Sequence, residues 1–134
     1  MEEALLALLL ADTALAGLVG DRIEWEELAK GTAMPAVVLN QISGARSYTF
    51  RGRIGLVSYL IQVDCWGATA KSSRDVSQAF RSFTDAFMAT PEAARAGVLR
   101  GLFLEEQRSS KDPGVNGTGT FYRTLHEVRV LAAD

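Results

Sequence analysis

The chain has 134 residues, the length of one domain, and a chain of this size buries roughly two-thirds of the surface it exposes when unfolded, without help from a metal or a crosslink. One cysteine, Cys65, and one histidine, His126, exclude an internal disulfide and speak against a structural zinc site. Fourteen basic against sixteen acidic residues give a net charge of −2, so the basic footprint of a free-standing nucleic-acid binder is missing.

The N-terminal segment opens with Glu2 and Glu3, whose carboxylates suit the positive end of a helix and not the positively charged start of a secretory signal. The apolar run Ala4–Ala11 falls well short of the ~20 residues of a membrane span and reads as a covered helix. Asp12 is placed to cap a second short helix through Leu18, which Gly17 or Gly20 ends. A short strand at Arg22–Trp25 and a loop lead to Met34-Pro35, which must be extended at Met34. Ala36–Ser43 then reads as a strand.

Leu56–Trp66 is the clearest strand. One face holds Val57, Tyr59, Ile61, Val63 and Cys65, and the other mixes Leu60 and Trp66 with Ser58, Gln62 and Asp64, as a sheet partly covered by a partner would. Ala68–Thr90 is the best helix, with Val76, Ala79, Phe80, Phe83 and Phe87 in one stripe that should pack on the first of these faces. Val98–Ser109 and Thr120–Ala132 read as two further strands. The expected fold is a single α+β domain over residues 1–134: a mostly antiparallel sheet with an N-terminal helix and one long helix packed on one face.

Several residues invite a chemical reading. The segment Asp112-Pro113-Gly114-Val115-Asn116-Gly117-Thr118-Gly119-Thr120 resembles a phosphate cradle, but it lacks the P-loop lysine and runs into a period-two strand where a P-loop needs a helix. It reads as a β–β connection rich in turn formers. Cys65 lies on an apolar strand face, away from any basic setting that would activate a thiol. Glu105 and Glu106, adjacent on a strand, should point to opposite faces and so cannot share a metal with Asp64. No catalytic, metal-binding or cofactor-binding residue is expected. Trp25 and Trp66 fill the core or meet a partner, where aromatic residues are enriched. Charge is uneven: Glu24, Glu26 and Glu27 belong to an acidic first quarter, while Gly44–Gly55 carries Arg46, Arg51 and Arg53 with no acid. Two complementary contact surfaces would have this pattern. The residues alone lead to a small domain that assembles.

Met34–Thr49 ("MPAVVLNQISGARSYT"), Tyr59–Phe83 ("YLIQVDCWGATAKSSRDVSQAFRSF") and Gly101–Val130, after an opening "EEALLALLLADTALAGLVGDRI", resemble the tail-completion, or tail-terminator, proteins of long-tailed phages and gene transfer agents. The resemblance runs nearly the whole length in the same order, departing in a longer glycine loop and in Leu131 where an aromatic is expected. It implies a non-enzymatic virion protein without a cofactor, made in a bacterial host and placed at the tail–head junction. Such proteins form a ring, usually hexameric, at the head-proximal end of the tail tube. The ring stops tube growth, meets the head connector and lets DNA pass as unspecific cargo; no membrane is involved. On this reading the interface residues are Arg46, Arg51 and Arg53, set against an acidic surface such as Glu24, Glu26 and Glu27 of a neighbour, together with Trp66 and the loop residues Asp112, Pro113, Gly117 and Gly119. The alternatives are a head-closure or adaptor ring of the neck and, in another class, a small ligand- or RNA-binding α+β module.

Overall fold

The computed structural model describes residues 1–28, 32–50, 52–90, 98–113 and 120–133; for 47–49, 53, 54, 112, 113 and 120 it describes the backbone alone. Helices α1 (Glu2–Ala11) and α2 (Thr13–Val19) come first, divided by Asp12, whose carboxylate accepts the Leu15 N–H at 3.0 Å and satisfies a free donor of the α2 first turn. Gly20, at φ 60, ends α2. Strands β1 (Ile23–Trp25), β2 (Ala36–Thr49) and β3 (Gly52–Gly67) follow, then helix α3 (Ala70–Ala89) and strands β4 (Leu99–Pro113) and β5 (Thr120–Ala133).

The five strands form one sheet in the order β1-β2-β3-β5-β4. Only β1 and β2 pair in parallel; the other neighbours are antiparallel. The expected α+β architecture therefore holds, with longer strands: β2 runs six residues past Ser43, and β3 begins at Gly52 instead of Leu56. Glycine-rich and polar sequence around the turn hid this extension. Gly52 (φ 113) and Gly55 (φ 81) adopt conformations that side-chain-bearing residues avoid, which lets β3 start among them.

Among the described residues, α1, α2 and α3 contribute to one core on one sheet face. Leu5, Leu9, Leu15 and Val19 join Val37, Leu39, Ile61 and Val63, and the α3 stripe of Val76, Ala79, Phe80 and Phe83 packs into the same cluster with Val128 and Val130. Burial of apolar surface at ~25 cal/mol per Å² is the main stabilising term here. Beneath α3 the fit is close: a Cβ on Gly67 would lie 2.5 Å from the Ser73 nitrogen. The buried hydroxyls and the histidine of this layer have partners, whereas Arg81 Nε on α3 is buried without one among the described residues. The Ser73 hydroxyl donates to the Cys65 carbonyl at 2.8 Å and so accepts from Thr124 Oγ1, also at 2.8 Å. The Ser77 hydroxyl bonds His126 Nε2 at 2.7 Å.

Candidate functional site

The glycine segment joins two antiparallel strands, since Pro113 pairs with Thr120. A phosphate loop leads from a strand to a helix, so this architecture does not supply one. Gly117 and Gly119 lie outside the described residues, and Asp112 and Pro113 end β4 in the backbone ladder. Cys65 is completely buried; burial first and the Asp64 charge second raise its thiol pKa, leaving a thiol and not a thiolate. His126 is buried and neutral, its pKa pushed down to about 4 by burial first and by the Arg81 charge second. Neither group meets the other in a nucleophile–base arrangement: Cys65 pairs with Thr124, and His126 bonds Ser77.

The sheet face away from the helices carries cross-strand ion pairs. Arg129 Nε donates to Glu105 at 2.6 Å and its Nη1 to Ser58 at 3.1 Å; this bond to Arg129 is the main reason that the Glu105 carboxyl lies below its usual range. Arg108 approaches Glu127 at 3.4 Å and Glu106 at 3.6 Å. The expectation that Glu105 and Glu106 face opposite ways fails, because the β4 register shifts between Leu104 and Glu106. The extra residue of such a bulge turns both carboxylates to the same face, where arginines take them up. Asp64, buried, accepts from Gln62 at 3.1 Å and lies 3.7 Å from Arg123, whose guanidinium sits 5.3 Å from the centre of the Trp66 ring. Trp66 is only 6% exposed, so within the subunit its surface is already used.

The remaining interface candidates separate cleanly. Glu24, Glu26 and Glu27 are exposed at the β1 edge, where Glu26, at φ 72, turns the chain out of the strand. Arg46 is exposed at the far end of β2, ~25 Å along the strand from the height of Glu24. Beyond Leu56, the last β3 residue paired with β5, the β2–β3 hairpin projects by four more β3 residues, ~13 Å. Phe50 at its tip is fully exposed, at 112% of the reference area. Arg51 lies outside the described residues, and Arg53 is described through its backbone pairing with Tyr48. Reading arginines alone missed Phe50; the signal was available, since from Leu28 to Val63 the sequence holds no acid, and an aromatic stands at the turn of that stretch.

The described residues thus form a sheet with helices on one face, cross-strand ion pairs on the other, two unlike edges and a projecting hairpin. The chain belongs to the family of Tail completion protein gp17, whose model matches residues 3–131. It is a structural component of the phage-type tail. Its fold is similar to a chain of a solved structure described as "Virion of native gene transfer agent (GTA) particle", with a TM-score of 0.60 and 20% identity over 96% of this chain and 90% of that one. No curated protein matches the sequence. No helix among the described residues is long and apolar enough to cross a membrane.

Proposed function

We propose that this chain is a tail terminator: copies close into a ring, a hexamer by the family resemblance, at the head-proximal end of the tail tube, stop tube growth and receive the head connector, with DNA passing through the opening. The observation that carries the reading is the family match across nearly the whole chain. The molecule's form supports it. A ring requires two different, complementary surfaces on each copy, and the sheet ends in two unlike edges, the acidic ledge of β1 on one side and β4 on the other. A conduit must not grip its cargo, and the arginines on the helix-free sheet face pair with the subunit's own carboxylates. The interface in this reading comprises Arg46, Arg51, Arg53 and Phe50 of the segment 46–53, Glu24, Glu26 and Glu27 at the ledge, and Asp112, Pro113, Gly117 and Gly119 of the segment between β4 and β5.

Electron microscopy of the purified protein mixed with its tail tube subunit tests this. Rings with a central hole, and tubes blunted at one end by such rings, are the expected images. Rings that bind the connector while tubes continue to grow would move the chain one layer higher, to a head-closure ring. A persistent monomer that leaves the tube unaffected would refute both.

A further inference from the structure

The sheet has two outer edges, and chaining the register across it shows how they correspond. Glu24 pairs with Val38, Val38 with Asp64, Asp64 with Leu125 and Leu125 with Arg108. Glu24 and Arg108 thus stand at the same height on opposite edges, and this pairing places both on the helix-free face. Both are exposed. Gln41 likewise shares a row with Ile61, Val128 and Leu104, and Ser43 shares one with Leu60, Arg129 and Phe103. Ile42, in the β2 bulge between those rows, is 48% exposed; Phe103 and Leu104 across the sheet are 43% and 36% exposed. An acid faces a base, and apolar side chains face apolar side chains, at matching levels of two edges that cannot meet within one molecule.

Strand direction agrees. β4 runs opposite to β5, β5 opposite to β3 and β3 opposite to β2, so β4 is antiparallel to β2 and to its parallel neighbour β1. Copies turned about an axis along the strands keep their strand directions, and the β4 edge of one copy then meets the β1–β2 edge of the next in the stronger, antiparallel sense. The edges also match in outline. β1 covers β2 only from Val37 to Leu39, so the β1–β2 edge steps in by one strand width above Leu39. In the same rows Leu39 stands level with Gln107, and the β4 bulge at Glu105 comes immediately above it. A bulge bends its strand, which is what β4 needs in order to pass outside β1 and then close on β2.

The geometry points to a lateral seam in which β4 of one copy lies antiparallel along the β1–β2 edge of a second copy, setting Arg108 against Glu24 and Phe103 and Leu104 against Ile42, so that the sheets of neighbouring copies join edge to edge. This rests on the ring reading above and deepens it. It also gives the acidic ledge a lateral partner, Arg108, and leaves the basic hairpin tip to point along the ring axis, toward the tube or the connector.

The test uses full-length protein, assembled alone or on tail tube subunits. In Ile42→Cys/Leu104→Cys, mild oxidation should give a ladder of covalent oligomers up to the full ring, because each copy links to both neighbours; each single variant should give none. Glu24→Arg and Arg108→Glu should each reduce the assembled fraction several-fold, and the double reversal should restore it. Rings visible by microscopy that give no ladder and no rescue overturn the seam and leave the tail-terminator reading standing. Dimers formed by Ile42→Cys alone overturn it too, since like edges would then be meeting. A chain that stays monomeric even with its tube subunit overturns that reading, and the seam with it.

Discussion

His126 illustrates how one residue's burial becomes a measurable property. In the folded chain it is neutral, with its pKa pushed down to about 4, while an unfolded chain takes up a proton near the ordinary 6.5. Above 6.5 both states are neutral there and the residue adds no slope. Below it the unfolded state binds a proton that the folded state refuses, so stability falls as pH drops from about 6.5 to about 4. His126→Gln keeps a partner for Ser77 and cannot titrate. The melting temperature of the natural protein should therefore lose ground to that of the variant across this window. Parallel pH profiles would show that His126 is not held neutral by the fold. The setting was legible and the partner was not: alternation puts His126 on one face with Val128 and Val130, which reads as a satisfied histidine at the core edge, but the helix Ser77 that bonds it comes from 49 positions away.

At the scale of elements, the long helix was the most legible feature and the first hairpin the least. The α3 stripe repeats at helical spacing, and the sheet face below it alternates with period two; each pattern announces one buried surface, and two such surfaces in a chain this short must pack together. Phe83→Ala removes a buried ring from this layer at a cost of about 3–5 kcal/mol, so a fall in melting temperature of roughly 10 °C or more, or insoluble protein, is expected. An unchanged melting temperature would contradict the packing. The distal hairpin escaped because the residues described there, 41–46, Gly52, Gly55 and Leu56, are exposed and impose no core period. The Glu105 bulge escaped for a related reason: a register shift is a relation between two strands, and alternation within β4 alone predicts the wrong face for one of the two carboxylates. Phe50 gives the contrasting prediction to Phe83. Being fully exposed at the tip, it contributes little to the isolated fold, so Phe50→Ser should leave the melting temperature nearly unchanged. A large loss of tail assembly in that variant would mark the side chain as a partner anchor; normal tails would leave it a tolerated surface aromatic.

For the whole molecule, the near-zero net charge conceals a polarity. Acid-rich residues gather in the first quarter and at the β1 edge, while the hairpin that projects from the opposite end of β2 has arginines and no acid. Long-range attraction between exposed charges acts over about 10 Å at 0.1 M salt and further when salt is low. If the tip docks on an acidic surface of the tube or the connector, reversing Arg46, Arg51 and Arg53 together to Glu turns that attraction into repulsion. The fold should survive, because Arg53 lies beyond the last rung that β3 shares with β5, and Arg46, on the rung of Val57, is exposed. Tail joining should weaken, and the deficit against the natural protein should grow as salt is lowered, where screening no longer hides the reversed sign. Light scattering of ring–tube mixtures across a salt series reads both effects. Lateral ring formation should be less affected than joining, since the seam places other residues between neighbours. A triple variant that joins tails as well as the natural chain at every salt concentration would remove the tip's charge from the assembly mechanism and leave Phe50 and the backbone of the hairpin to account for any contact there.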